Sequence, residues 1–337
     1  MARKPIIADV AQLAGVSTAT VDRVLNDRGG VKPEKAALVL SAARRLRLDR
    51  MLTRKYSRVQ RIAVLIESSA NPFHAALRDA FSIASRAYAD LNLQFLIHQI
   101  AFDDARGIAA KIRSLGPRHD GLIVTSPDDP RIAAATRDVC RTIPVIALAT
   151  DLPDSGRSAY VGPDDRQAGR VAGDLMGRFL GREGGDVVMI AGLLSLRGHR
   201  EREAGFRQVL SEHYSGCRLE AALQSGEDAE RAGLLVAEAL KLNPAIRGVY
   251  HVTAGAAEVV SALRALGRDR DVVLIAHELT EERRGLLRER AIGAIIDQNP
   301  QFEVRAAVEV MARLLGRMDG VAGTTVTPVS IYTPENV

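Results

Sequence analysis

Thr18, Ala19, Asp22 and Arg23 stand close together near the start of the chain, spaced so that one helix would turn all four toward solvent. A short exposed helix carrying such groups on a small basic module can enter the major groove of DNA. The elements that would hold it are legible on both sides. Asp9 can cap a first helix by accepting from the free N–H groups at its start. Val10, Ala11, Leu13 and Ala14 give that helix an apolar face. Gly15 ends it, because only glycine turns left-handed without a Cβ penalty. Ser17 caps a second helix, whose Val21, Val24 and Leu25 face the first. A third helix is predicted over 35–46, with Pro33 and Glu34 in its first turn, where proline and negative charge are both favoured.

Charge separates this segment from the rest. Residues 1–61 hold 14 Lys and Arg against 5 Asp and Glu, a net of +9. The remainder holds 32 basic and 36 acidic residues, a net of −4. Concentrated positive charge is the footprint of phosphate binding. Cys140 and Cys217 lie far apart without metal or redox spacing, as expected of reduced thiols in a cytosolic protein. The N-terminus lacks the apolar core of a signal peptide, and no apolar run nears the ~18 residues of a membrane span. The seven His show no metal-ligand spacing, and there is neither a phosphate-binding loop nor a nucleophile elbow. No cofactor, no metal, no membrane partner and no catalytic residue are therefore expected.

The run Asp9-Val10-Ala11, Ala14-Gly15-Val16-Ser17, Thr20-Val21 and Arg23-Val24-Leu25-Asn26 resembles the headpiece of the LacI family of bacterial transcription regulators. The resemblance implies that Thr18, Ala19 and Arg23 read bases, while Ser17, Thr20 and Asn26 touch or position the backbone. Arg23 would bond a guanine edge, worth roughly 1–3 kcal/mol of discrimination. Asp22 stands where the family usually has Ser; it either reads a cytosine amino group, braces a neighbouring Arg, or is a solvated helix charge. A hinge over 51–61 follows, with Met51 or Leu52 as a minor-groove wedge and Arg54 on phosphate. This stretch departs from the family in lacking a Tyr-x-Pro-Asn motif.

Beyond residue 61, continuous apolar runs such as Ile62–Ile66, Gly121–Val124, Val187–Ala191 and Val272–Ala276 alternate with amphipathic stretches. That pattern implies parallel sheets covered by helices on both faces, and the length implies two subdomains. This part resembles the type I periplasmic-binding-protein fold. By that resemblance, the all-α headpiece (1–50) and hinge (51–61) precede a two-subdomain α/β ligand-binding domain (62–337). One subdomain would hold 62–163 and 298–323, the other 164–297 and 324–337. Ligands in such sheets bind beyond the strand C-termini. The matching loops offer Asn71, Phe73, His74, Ser126, Asp151, Arg200, Thr253, Glu278 and Gln298, a set suited to a polyhydroxylated ligand, with Asp151 and Arg200 foremost. Arg202 would contact ligand or brace the cleft from behind. An acidic or phosphorylated sugar is conceivable where Arg200, Arg202, His74 and His277 converge.

The expected protein is a cytoplasmic regulator, nucleoid-associated when bound: a homodimeric repressor of a pseudo-palindromic operator on double-stranded DNA, controlled by a small sugar or polyol effector. A purine-type corepressor and a sugar-acting enzyme are the alternatives. Low aromatic content, 4% with no Trp, favours the sugar over the purine.

Overall fold

A computed structural model describes residues 6–25, 30–46, 58–67 and 71–337. The hinge residues Met51, Leu52 and Arg54 lie outside them, as does Asn26. The chain opens with three helices, α1 (Ile7–Ala14), α2 (Thr18–Leu25) and α3 (Pro33–Arg45). They close on a small core of Val10, Ala11, Val21, Val39, Ala42 and Ala43. Gly15 takes φ 64° and turns the chain from α1 toward α2. Two expectations change here. Asp9 lies inside the first turn of α1 rather than before it, and its carboxylate accepts from the Ile6 N–H at 2.8 Å. Leu13 is 43% exposed, because α1 turns Val10 and Ala11 inward instead.

The rest of the described chain forms two sheets. The first contains β1 (Gln60–Glu67), β2 (Leu93–Ile100), β3 (Gly121–Val124), β4 (Val145–Leu148), β5 (Ala159–Pro163) and, from the far end of the chain, β11 (Thr325–Thr327). The second contains β6 (Gly185–Ala191), β7 (Cys217–Gln224), β8 (Ile246–His251), β9 (Val273–His277), β10 (Ala294–Asp297) and β12 (Ser330–Tyr332). Their orders are β11-β5-β4-β3-β1-β2 and β12-β10-β9-β8-β6-β7. Pairing is parallel throughout, except that β12 runs antiparallel to β10.

Helices cover both faces, which is why the inner strands read as unbroken apolar runs. On the first sheet, α4 (Pro72–Ala87) and α12 (Pro300–Leu314) bury one face, while α5 (Ala105–Leu115) and α6 (Pro130–Val139) bury the other. On the second, α7 (Asp165–Leu180) and α8 (Arg197–His213) oppose α9 (Ala229–Leu242), α10 (Ala256–Ala265) and α11 (Glu281–Arg288).

The chain crosses between sheets three times: after β5, after β10, and between β11 and β12. The third crossing falls later than the predicted change at 324. Thr325–Thr327 pairs with Val161–Pro163 of the first sheet, whereas Ser330–Tyr332 pairs with Ile295–Asp297 of the second. Pro328 lies between the two and has no N–H to extend a ladder.

One packing contact bears directly on the site. A Cβ on Gly169 of α7 would lie 2.0 Å from the Arg202 carbonyl oxygen, and one on Gly205 of α8 would lie 2.0 Å from that of Arg166. The two helices thus meet backbone to backbone, closer than any side chain permits. This holds the start of α8 against the start of α7.

Candidate functional site

On the headpiece, α2 turns Val21 into the core and leaves Thr18, Ala19 and Arg23 exposed. Thr20 and Asp22 are half-buried. Ser17 starts the helix: its hydroxyl oxygen accepts from the Thr20 N–H at 3.2 Å and pairs with the Thr20 hydroxyl at 2.9 Å. Of the residues expected to face DNA, Ser17, Thr18, Ala19 and Arg23 are thus exposed along one short helix and its start.

A narrow cleft lies between the two sheets, at the C-terminal ends of their strands. From the first subdomain, Asn71, Phe73 and His74 enter at the start of α4. Phe102, Thr125, Ala149 and Thr150 follow β2, β3 and β4. The second subdomain brings His199 and Arg202 from α8, Glu227 after β7 and Glu278 after β9, and Gln298 enters from the crossover after β10.

Asn71 has a double role. Its side-chain oxygen accepts from the Phe73 N–H at 2.9 Å and caps α4, so its amide nitrogen is aimed outward. That nitrogen donates to Glu227 of the opposite subdomain at 2.6 Å. Glu227 sits at φ 65° in the left-handed region, and its carboxylate lies over Gly192, where a Cβ would come within 1.6 Å of it. Burial pushes this carboxyl up to about 7. The Asn71 hydrogen bond opposes that rise, while the negative charges of Glu278 and Glu67 add to it.

Arg202 is buried and held from two sides. Its Nε donates to Asp165 at 2.8 Å, and a terminal nitrogen donates to the Gln298 side-chain oxygen at 3.1 Å. Glu278 is paired with buried Arg283 at 3.1 Å, and Arg283 also donates to the carbonyls of His277 and Thr253. His74 meets Phe73 and Phe102 edge-on, at centroid distances of 5.4 and 5.3 Å. Burial lowers His74 to about 4, helped by Arg78, and lowers His199 to about 3. Both imidazoles are uncharged near neutral pH. The Thr125 hydroxyl oxygen and the His74 Nδ1 are buried in this wall without a hydrogen-bond partner in the protein.

The structure gathers Asn71, Phe73, His74, Glu278 and Gln298 in the wall and keeps four other expected residues out of it. Arg200 points to the rim, donating to the carbonyls of Leu194 and Ser195 and to Asp128 of the other subdomain at 2.7 Å. Asp151 turns to Arg157 in its own loop, with one contact at 2.7 Å. Ser126 is buried, its hydroxyl donating to the Pro127 carbonyl. Thr253 is buried beside Gly192, behind Glu227. His277 bonds the Tyr250 hydroxyl at 2.7 Å inside the second subdomain, so the four basic groups do not converge.

Glu227 was not foreseen because β7 is a half-exposed edge strand. Its sequence alternates rather than forming an apolar run, so nothing in it marks the loop that follows. Recognising Gly226-Glu227-Asp228 as a strand-to-helix turn would have found it. Arg200 and Arg202 are two residues apart on α8, and only the packing of α8 on α7 decides which faces inward.

Two parallel-sheet lobes closing on a polar cleft, joined to a helix-turn-helix unit, define a ligand-binding fold carrying a nucleic-acid module. Residues 62–318 match the family described as periplasmic binding protein domain, and residues 6–47 the one described as bacterial regulatory proteins, lacI family. The D-ribose/D-allose-binding protein of Pseudomonas aeruginosa is 25% identical over 81% of this chain and 88% of its own length. The HTH-type transcriptional regulator DegA of Bacillus subtilis is 28% identical over 62% of this chain and 61% of its own. A solute-binding protein of Burkholderia graminis, solved in complex with D-arabinose, superposes with a TM-score of 0.77 at 23% identity, covering 84% of this chain and 98% of that one. That likeness concerns the fold alone. The chain belongs to the periplasmic binding protein domain family and carries, ahead of that domain, a helix-turn-helix domain of the lacI family of bacterial regulatory proteins. It is a transcription regulator and not an enzyme. Among the described residues no helix is long and apolar enough to cross a membrane.

Proposed function

We propose that the protein is a dimeric repressor that reads a two-fold symmetric operator through α2 and is controlled by a sugar or polyol bound between its subdomains. The observation that carries the ligand reading is the cleft wall itself. Amide, carboxyl, hydroxyl and guanidinium groups from both lobes face one space, and a buried polar group without a partner costs about 1–3 kcal/mol. Ligand hydroxyls would supply those partners, and Phe73 offers an apolar surface for the C–H side of a sugar ring. Asn71, Phe73, His74, Glu278 and Gln298, joined by Arg202 and Glu227, are the proposed ligand contacts. Ser17, Thr18, Ala19, Thr20, Asp22 and Arg23 are the proposed DNA contacts. The sugar-binding names of the relatives support this reading, as does a cleft closed by bonds between the lobes.

Selection of binding sites from a random duplex library with the full-length protein tests it. Enrichment of a symmetric site that a sugar then releases is the expected result. Arg23→Ala should change the preferred base at one position of each half-site. Equal binding to all sequences would overturn the repressor reading, and a selected site indifferent to every sugar would overturn the effector.

A further inference from the structure

We propose that the effector is a polyol carrying an amino group, and that Glu227 holds its ammonium across the cleft from Asn71. The inference rests on the sugar-binding reading above and names the kind of sugar.

Acidic groups outnumber guanidinium groups around the cavity. Arg202 is engaged by Asp165 at 2.8 Å and Arg283 by Glu278 at 3.1 Å, so each cation already has its anion. Glu227 remains in excess. Among the described residues no Lys or Arg comes within ion-pair distance of Glu227, whose contact from the opposite lobe is the neutral Asn71 amide at 2.6 Å. His74 and His199, the remaining basic groups in the wall, are held uncharged by burial. A phosphate or carboxylate placed here would face the Glu227 carboxylate, whereas an ammonium would complete the charge and form a strong charge-assisted hydrogen bond.

Position supports the same assignment. Glu227 adopts a left-handed backbone that few non-glycine residues tolerate. Its carboxylate rests where only a glycine, Gly192, leaves room. In the same wall the Thr125 hydroxyl and the His74 Nδ1 are buried without a protein partner, as suits the hydroxyl groups of a polyol.

The proton balance follows. With Glu227 raised to about 7, the ligand-free carboxyl holds a proton for part of the time near neutrality. A cationic amine stabilises the carboxylate, and the displaced proton leaves to solvent. Binding should therefore release a proton and tighten as pH rises through about 7, as long as the ligand keeps its own ammonium proton.

The test is calorimetric titration of the full-length protein with glucosamine, galactosamine and mannosamine, their parent hexoses, and the matching hexuronates. It is run at pH 6 and pH 8 in two buffers of different ionisation enthalpy. At least one amino hexose should bind roughly tenfold tighter than its parent, which 1.4 kcal/mol achieves, with proton release near pH 7 and tighter binding at pH 8. Glu227→Gln should bring the amine-to-parent ratio toward one and abolish the proton release. If that variant unfolds, the wild-type ratio and proton count decide the matter by themselves. A parent hexose or hexuronate that matches the amine overturns this inference and leaves the sugar reading standing. No binding by any of the panel overturns both.

Discussion

Arg202 and Asp165 face each other in the interior at 2.8 Å, and the pair matters most through what its loss would leave behind. A buried ion pair adds little net stability over apolar groups, but removing one partner strands the other charge at a cost of about 3–5 kcal/mol. Arg202→Ala should therefore lower the melting temperature by many degrees and abolish ligand binding, as thermal melts with and without sugar would read. A variant that melts like the parent would remove Arg202 from the framework of the cleft. Glu303 presents the opposite situation. It is wholly buried on α12 and neither carboxyl oxygen has a partner; burial first, and the charge of Asp165 second, raise it well above the ordinary 4.5. The folded protein thus holds a proton that the unfolded chain releases, so stability falls as pH rises from 4.5 toward the raised value. Glu303→Gln removes that loss. It should melt above the parent at pH 7–8, with the gap closing toward pH 4. A gap that stays constant with pH would show that Glu303 is not the group responsible.

At the scale of elements, the contact between α7 and α8 decides where the arginine goes. Gly169 and Gly205 bring the two backbones together, so Arg202 meets Asp165 at the start of α7, while Arg200 passes outside to the rim. Gly169→Ala puts a methyl against the Arg202 carbonyl. Overpacking of this kind costs about 1–3 kcal/mol, and because the strain falls on the backbone of Arg202, ligand affinity should fall with stability. Melting and titration of the same variant check this; lost stability with full affinity would mean that α8 shifts without moving its arginine. The headpiece depends on a different device. Gly15 is left-handed with open space around it, so Gly15→Ala meets only the backbone penalty of roughly 1–2 kcal/mol. It should weaken DNA binding and leave melting of the sensor domain unchanged.

Among the described residues, side chains join the lobes at three places: Asn71 to Glu227 inside the cleft, the Thr150 hydroxyl, which accepts from the Gly198 N–H at 3.4 Å, and Arg200 to Asp128 at the rim, where the Asp128 N–H also donates to the Ser195 carbonyl at 3.1 Å. The rim pair is partly exposed and is worth about 0–1 kcal/mol, too little to shift melting by much. Closure, however, is an equilibrium between two arrangements of the lobes, and a small difference in free energy moves its populations. Arg200→Ala should leave melting nearly unchanged but increase the ligand-free radius of gyration in small-angle scattering, with saturating sugar restoring the compact value. Identical scattering curves without ligand would exclude the rim clip as a determinant of closure. If closure is what alters the headpieces, DNA must weaken sugar binding by the same factor by which sugar weakens DNA binding.

Local physics made much of this legible in the residues alone. Gly15 between two short amphipathic stretches, in the most basic part of the chain, points to a helix-turn-helix, and runs such as Ile62–Ile66 and Val187–Ala191 alternating with amphipathic stretches point to parallel sheets covered on both faces. Strand ends then named the loops that could meet a ligand, which is how Asn71, Phe73, His74, Glu278 and Gln298 were identified. What the chain alone could not decide is which polar group in a loop turns inward. Asp151 was equally able to face the cleft or Arg157, and Arg200 and Arg202 differ only by the rotation of a helix whose seat depends on glycines in another helix. Glu227 followed an edge strand too exposed to read as one. Sequence carries the propensity of each segment, whereas the partner of a side chain depends on residues such as Asn71 and Glu227, 156 positions apart, and only folding brings these within 2.6 Å.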